Sequence, residues 1–234
     1  MHLADPVEVF PDCQLWLASF DDESGDFAVS LEDALAEARM SARDQLRWQQ
    51  YRPAAKKRQF LNSRRAVRSV LQRELGDAAA HVQFDSDSQG CPVLLSEQVG
   101  HWPQMSLSHS GNVVAIAISR NAFPVGVDIE TVEPLKADAL RLVAAHPHER
   151  AWCDRQTGRE SDALATLWTI KEAVWKTLHY GSEMPMSEVS VESHAGMLTP
   201  CVEHSAFRDA KFRTQLFVVD CEAVVPETIR LMHE

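Results

Sequence analysis

The sequence has few of the features from which cross-linked, metal-stapled or membrane-spanning proteins are built. No apolar run approaches the roughly 20 residues that a membrane helix needs, so we predict no membrane span. Its 234 residues include five cysteines, and no two of them form a C-x-x-C pair, which argues against a disulfide framework or a zinc site. The first six residues lack the basic and apolar regions of a signal peptide, and we therefore expect a cytoplasmic protein.

Basic residues are also scarce, because 23 lysines and arginines stand against 34 acidic residues for a net charge of −11. This balance argues against a nucleic-acid binder. The basic residues are unevenly placed, however: 11 of the 23 lie between Arg39 and Arg73, where Asp44 is the single acidic residue. Such a stretch is typical either of a solvated helix face or of a site for a polyanion.

Hydrophobic periodicity indicates an α+β protein. Capped helix starts are indicated at Ser30 and Ser41. The predicted strands are 13–20, 81–84, 92–95, 105–108, 113–119, 125–131, 187–192, 213–220 and 228–232, and the predicted longer helices are 53–75, 136–144, 147–156 and 160–180. Because these elements fall into two similar portions, we expect halves 1–121 and 122–234 with a ligand cleft at their interface.

The clearest motif is Gly-Val-Asp-Ile-Glu at residues 126–130. On a strand, Asp128 and Glu130 would share one face while Val127 and Ile129 point to the other. Two neighbouring carboxylates repel each other, and a divalent cation such as Mg²⁺ relieves that repulsion through oxygen ligands. An edge strand with a solvated acidic face is the alternative interpretation.

A second motif covers residues 168–176, where Trp168, Glu172 and Lys176 are spaced four apart and so share a helix face. Lys171 and Trp175 lie beside them in the sequence. Glu172 and Lys176 could form only a weak surface ion pair. The two flanking tryptophans favour a partly buried setting, in which a carboxylate and two ammonium groups would suit a metal-bridged diphosphate.

A third motif, Ser-Leu-Ser-His-Ser-Gly at residues 106–111, combines hydroxyls, an imidazole and a glycine turn. It could cradle a phosphate or be a polar turn. Ser108 and His109 are not a nucleophile and its base, because adjacent side chains on a strand diverge.

Together and in this order, the three motifs resemble the Sfp-type 4′-phosphopantetheinyl transferases of the holo-acyl-carrier-protein synthase superfamily. The chain has that family's Ser-His-Ser at 108–110, its Gly-(Val/Ile)-Asp-Ile-Glu at 126–130, and its Trp-x-x-Lys-Glu-Ala at 168–173 with a further lysine at 176. The resemblance covers about residues 47–191. It implies two similar α/β halves related by a pseudo-twofold axis, with coenzyme A and Mg²⁺ (or Mn²⁺) in the cleft between them.

The resemblance also implies an enzyme that moves the 4′-phosphopantetheine of coenzyme A onto a serine of an apo acyl, peptidyl or aryl carrier protein and releases 3′,5′-ADP. We expect a monomer without nucleic-acid or membrane partners. By motif position, the acids that bind the metal would be Asp128, Glu130 and Glu172. The catalytic residues would be Glu172, Lys176 and Asp128. The contacts to coenzyme A would be Arg47, Arg52, Ser108, His109, Lys171 and Lys176. Glu172 would accept the proton of the carrier serine.

One position departs from the family pattern, because Gly90-Cys91-Pro92 stands where the family commonly has Gly-Lys-Pro. The alternatives to a transferase are a module that binds coenzyme A or a carrier without transfer, a magnesium-dependent nucleotide hydrolase, and a basic-helix nucleic-acid binder. The presence of all the acids and lysines argues against a binding module. The absence of a P-loop argues against a nucleotide hydrolase, and the net charge argues against a nucleic-acid binder.

Overall fold

The computed structural model describes residues 1–20, 31–87, 91–95, 104–121, 123–132, 143–178, 184–204, 207, 210–219 and 226–229. These residues fall into two compact units, Met1–Val125 and Gly126–Glu234. Each unit combines helices with antiparallel strands, so the α+β prediction is confirmed. The pseudo-twofold relation between two similar halves stays a prediction.

The first unit contains an antiparallel sheet and a separate hairpin. Its strands are β1 His2–Leu3, β2 Val7–Phe10, β3 Cys13–Ser19, β4 Gln83–Ser86, β5 Pro92–Leu95, β6 Gln104–Ser110 and β7 Val113–Ser119. The sheet has the order β1-β3-β7-β6 with β2 added on β3, whereas β4 and β5 pair only with each other. Every residue of β7 is buried, as its uninterrupted apolar run predicts.

A tight turn joins β6 to β7 and pairs Ser110 with Val113. Gly111 has a φ of 54°, a left-handed conformation that glycine adopts without steric cost. The glycine turn indicated by the third motif is therefore confirmed, and it fixes the register that places Ser108 opposite Ala115.

Three helices complete the described part of the first unit: α1 Leu31–Ala38, α2 Ala42–Gln50 and α3 Ala54–Leu75. The predicted cap at Ser41 is confirmed, because its hydroxyl accepts a hydrogen bond from the Asp44 N–H at 3.0 Å. Apolar residues of α3 form part of the core, in which Val67, Val70 and Leu71 are 0% exposed. Ser30 lies outside the described residues.

The described part of the second unit contains two α-helices and two separate hairpins. They are α4 Pro147–Asp154, α5 Glu160–Thr177, β8 Val189–His194 with β9 Met197–Val202, and β10 Leu216–Val219 with β11 Pro226–Ile229. Strand β9 was not predicted, because Pro200 cannot donate a ladder hydrogen bond and argues against a strand. In a two-stranded hairpin, however, Pro200 is tolerated opposite Val191.

One predicted strand is wrong. Residues 125–131 belong to no strand of the structure, although their apolar and acidic residues alternate. They pack against α5 instead, where the Val127 carbonyl accepts a hydrogen bond from Lys176 Nζ at 3.2 Å rather than from a neighbouring strand. Most of the helix predicted at 136–144 lies outside the described residues. Over the part of the chain that is described, no helix is long and apolar enough to cross a membrane.

Candidate functional site

The acidic segment that begins at Gly126 is held directly on helix α5. A Cβ atom at Gly126 would overlap the Ala173 carbonyl oxygen and crowd the Thr177 hydroxyl. Glycine therefore lets the backbone of the segment approach the helix backbone more closely than any other residue could. This contact positions the next acid in the chain, Asp128, beside the last two turns of α5.

Asp128, Glu172 and Lys176 form the centre of the site. Lys176 Nζ lies 2.7 Å from Asp128 Oδ1 and 3.6 Å from Glu172 Oε2. The Asp128 side chain is only 3% exposed, and that of Glu172 is 19% exposed. The i, i+4 spacing on α5 thus brings Glu172 and Lys176 together as predicted, and the packed segment adds a carboxylate from 48 residues earlier.

The third predicted acid, Glu130, lies at the edge of the same cluster. Its Oε1 accepts a hydrogen bond from the indole N–H of Trp168 at 3.2 Å. Trp168 is one helical turn before Glu172, so the i, i+4 pattern of the sequence accounts for the position of the indole as well. An acid outside the helix is in this way linked to α5 by an aromatic donor.

The carboxylates influence one another electrostatically. Burial, followed by the Asp128 charge, raises the pKa of Glu130, and the Trp168 hydrogen bond and Lys176 oppose that rise. Burial also raises the pKa of Glu172, where Lys176 lowers it and Asp128 adds to the rise. The site therefore concentrates negative charge that a single ammonium group only partly balances.

A metal ion suits these side chains chemically, since carboxylate oxygens are the ligands that Mg²⁺ prefers and the mutual repulsion of Asp128, Glu130 and Glu172 favours a cation. As they stand, however, the described residues contain no group of three or more His, Cys, Asp or Glu side chains arranged to hold a metal. The Lys176 ammonium lies against two of the three acids.

Lys171 occupies a different place from Lys176. It is 1% exposed, and its Nζ lies 2.8 Å from a carboxylate oxygen of Glu149 and 2.8 Å from the Val143 carbonyl. The Glu149 carboxylate also accepts the backbone N–H groups of Val191 and His146. Lys171 therefore joins α5 to α4 and β8 inside the core, and this geometry does not support its predicted contact with a diphosphate.

Sequence reasoning missed Glu149 as the partner of Lys171. The start of α4 was expected at Pro147, and the structure confirms it with His146 as the N-cap residue. Glu149 stands three residues after that cap, which is a capping-box position and was the available signal. Its burial could not be anticipated, because the partner lysine lies 22 residues later in the sequence.

The remaining candidates belong to the first unit. Ser108 is 9% exposed, whereas the next residue of β6, His109, is exposed, so the two side chains diverge as expected for a strand. Arg47 on α2 and Arg52 in the segment before α3 are both exposed. The Arg47 guanidinium lies 5.8 Å from the centre of the Phe60 ring, a cation–π contact that leaves its N–H donors available for an anion.

Comparison with known proteins covers the segment in which this cluster lies. The family model of the 4′-phosphopantetheinyl transferase superfamily matches residues 124–220. Over this segment the chain is similar to that superfamily. The matched segment contains Asp128, Glu130, Glu172, Lys171 and Lys176. The candidate coenzyme A contacts of the first unit precede it.

Individual proteins that this chain resembles carry the name of the same transferase. A Synechocystis sp. protein provisionally named a 4′-phosphopantetheinyl transferase is 30% identical over 65% of this chain and 62% of its own length. The 4′-phosphopantetheinyl transferase HetI of a Nostoc sp. is 30% identical over 51% of each chain. The transferase psf-1 of Bacillus pumilus is 27% identical over 60% of this chain and 59% of its own. The chain thus spans between half and two thirds of the length of these relatives.

Cys91 stands at the one departure from the transferase pattern. It immediately precedes β5, and its N–H donates to Asp87 Oδ1 at 2.9 Å. Burial, followed by the Asp87 charge, raises the pKa of the Cys91 thiol, so the group is neutral at physiological pH. Gly90 lies outside the described residues. A neutral thiol cannot replace the ammonium that the family commonly has at this position.

The close approach at Gly126 provides a test of the site's construction. Gly126→Ala should displace the acidic segment from α5 and destabilise the fold by about 1–3 kcal/mol, because an overpacked contact with a backbone carbonyl cannot relax cheaply. Gly158→Ala is the control, since nothing lies within 4 Å of its added Cβ and only its φ of 77° opposes alanine. Urea unfolding of both variants measures the difference. A loss no larger at Gly126 than at Gly158 would contradict the close packing.

Proposed function

We propose that this protein transfers the 4′-phosphopantetheine of coenzyme A to a serine of an apo carrier protein, releases 3′,5′-ADP and depends on Mg²⁺. The observation that carries the proposal is the cluster of Asp128, Glu172 and Lys176 within the segment that matches the superfamily. The Glu172 carboxylate and the Lys176 ammonium on α5, together with the Asp128 carboxylate of the segment packed against it, are the charges that a metal-bound diphosphate requires. The named relatives support the same activity.

Asp128 and Glu172 would hold the metal, with Glu130 as a further ligand, directly or through a water. When bound, Mg²⁺ neutralises the diphosphate and orients it, which is its usual contribution to phosphoryl transfer. Mn²⁺ offers the same oxygen coordination and is expected to substitute.

The reaction forms a bond between the carrier serine Oγ and the phosphorus nearest the pantetheine, and it breaks the bond from that phosphorus to the oxygen of 3′,5′-ADP. Glu172 accepts the serine proton, directly or through water. Lys176 stabilises the negative charge that develops on the leaving diphosphate. Both residues lie on α5, so one rigid helix positions them.

The first unit would contribute contacts to the phosphates of coenzyme A. We assign the 3′-phosphate to Arg47 and Arg52, which are exposed and able to present several N–H donors to one anion. Ser108 and His109 are proposed as contacts to the diphosphate. The monomeric state and the cytoplasmic location expected from the sequence remain predictions.

The decisive experiment incubates the protein with coenzyme A, Mg²⁺ and a panel of apo acyl, peptidyl and aryl carrier proteins, and then measures the carrier masses. We expect one carrier class to gain the mass of a single phosphopantetheine. Carriers with the acceptor serine replaced by alanine, and reactions with EDTA, are the controls and should show no gain. If coenzyme A binds but no carrier gains mass, the protein is a binding module and the proposal fails.

The substitution Cys91→Lys tests the assignment of the 3′-phosphate. A lysine at this partly exposed position should tighten coenzyme A binding by about 1 kcal/mol, the value of a modest ion pair. Dephospho-coenzyme A lacks the 3′-phosphate and should show no gain. Calorimetric titration of both ligands into both proteins measures the effect. Equal tightening for the two ligands would show that the new ammonium acts elsewhere, for example on Asp87.

A further inference from the structure

The Lys176 ammonium lies beside the carboxylate oxygens that a metal ion would need. Nζ is 2.7 Å from Asp128 Oδ1 and 3.6 Å from Glu172 Oε2, and it also donates to the Val127 carbonyl at 3.2 Å. The Asp128 carboxylate is 3% exposed, so little water screens it. An ammonium and a divalent cation this close to the same oxygens repel each other strongly. The two cations must therefore compete for Asp128 and Glu172.

We propose that Lys176 is an internal counter-ion, which holds Asp128 and Glu172 in the metal-free protein and has to withdraw before a divalent cation binds there with full affinity. The inference rests on the proposed function only in taking these two residues as metal acids. It adds that the lysine opposes metal binding until another anion attracts it.

The lysine side chain can make this movement without any movement of the helix. Its charge is carried on a flexible four-carbon stem, and the side chain is 24% exposed, so the head group has room to turn away from Asp128. The diphosphate of coenzyme A is the anion to which it would turn. Each ligand would then remove part of the cost of binding the other, so Mg²⁺ and coenzyme A should bind with reciprocal positive coupling.

The first test is calorimetric titration of Mg²⁺ into the full-length protein without coenzyme A. Lys176→Gln removes the charge but keeps an N–H donor for Asp128, and it should tighten Mg²⁺ binding about tenfold, which corresponds to about 1.4 kcal/mol. Lys176→Arg keeps the charge and should bind Mg²⁺ like the wild type. The indole of Trp168 donates to Glu130, so tryptophan fluorescence gives a second signal for metal binding.

A matched control removes a positive charge from the opposite end of the same helix. Arg159 is the N-cap residue of α5. Among the residues that the structure describes, its guanidinium forms an ion pair only with the exposed Asp162. At 1.5 Å per residue Arg159 lies roughly 25 Å from Lys176. Arg159→Gln should leave Mg²⁺ affinity unchanged, and an equal tightening in this variant would overturn the proposal, because it would reduce the effect to net charge.

The second test needs no variant and covers the case in which Lys176→Gln does not fold. The wild-type protein is acetylated briefly with acetic anhydride, with and without Mg²⁺, and labelled lysines are quantified by peptide mass spectrometry. We expect Mg²⁺ to increase the labelling of Lys176, because the released amine is no longer held by two carboxylates. Lys56, which is exposed and contacts Gln59, should be unaffected.

The outcomes separate this inference from the proposed function. Tighter Mg²⁺ binding by Lys176→Gln supports the counter-ion even if no carrier is modified, in which case only the transferase activity fails. The counter-ion proposal is overturned, even if transfer is observed, by either of two results. One is unchanged or weaker Mg²⁺ binding in that variant. The other is unchanged Lys176 labelling at a Mg²⁺ concentration that saturates the protein. Absence of any Mg²⁺ binding overturns it as well.

Discussion

Replacing Lys171 by methionine should lower the free energy of unfolding by about 3–5 kcal/mol, because it leaves a buried carboxylate without its cation. Lys171 is 1% exposed and Glu149 is 0% exposed, and their charged groups are 2.8 Å apart. The methionine keeps most of the volume of the lysine stem, so a cavity contributes little to the loss. Urea unfolding followed by circular dichroism measures the change.

Two further variants separate the lost charge from other effects. Glu149→Gln combined with Lys171→Met removes both charges and keeps one oxygen acceptor, for either the Val191 or the His146 N–H, so it should recover part of the stability. Arg159→Met breaks the exposed pair with Asp162 on the same helix and should cost less than about 1 kcal/mol. If Lys171→Met costs no more than Arg159→Met, the buried pair does not stabilise the unit.

The sequence predicts well the elements whose pattern is determined by their own core contacts. The bounds of β5 and β7 match the predicted 92–95 and 113–119, and α3 was expected to end near Leu75, where it does end. In each case the apolar pattern and the flanking turn residues favour the same element, so local preference and tertiary packing agree.

The segment 125–131 shows where that agreement fails. Its alternation of apolar and acidic residues has the period of a strand, but the Val127 carbonyl accepts a hydrogen bond from the Lys176 side chain of α5 and not from a strand neighbour. A side-chain pattern reports which residues avoid water and does not identify the backbone partner. Asp128 nevertheless lies beside Lys176, although the strand on which Asp128 and Glu130 were expected to share a face does not form.

The candidate site divides in the same way. The pairing of Glu172 with Lys176 follows from helical spacing, and the sequence is sufficient to predict it. The different settings of Lys171, in the core, and Lys176, in the candidate site, are not predictable from the sequence, because they depend on which carboxylate each lysine contacts. Asp128 precedes Lys176 by 48 residues and Glu149 precedes Lys171 by 22, and no local pattern specifies such contacts.

Loss of either proposed metal acid, Asp128 or Glu172, should have the largest effect on the proposed transfer. Asp128→Asn and Glu172→Gln each retain the shape of the side chain and remove one negative charge from the cluster. We expect turnover to fall at least about 100-fold in each variant, the scale associated with removing one group that stabilises a charged transition state. The reason is that each variant weakens the cation site, and Glu172→Gln also removes the proton acceptor.

The measurement is the carrier mass gain per unit time at saturating Mg²⁺ and coenzyme A, with circular dichroism to confirm folding. Glu160→Gln is the matched control: it alters a carboxylate in the first turn of the same helix, where the side chain accepts the Gly158 N–H at 3.0 Å. Glutamine can still accept that hydrogen bond, so turnover should stay close to wild type. Asp128 contacts Lys176, whereas Glu160 lies at the other end of α5. The control therefore distinguishes the loss of a carboxylate beside Lys176 from the loss of any carboxylate near this helix.

The two variants should also differ from each other in their response to Mg²⁺. Asp128→Asn leaves the proton acceptor in place, so part of its activity should return as Mg²⁺ is raised well above the wild-type requirement. Glu172→Gln lacks both functions and should not recover. Full recovery of Glu172→Gln at high Mg²⁺ would limit Glu172 to metal binding, and near wild-type turnover of either folded variant at ordinary Mg²⁺ would remove that residue from the metal site.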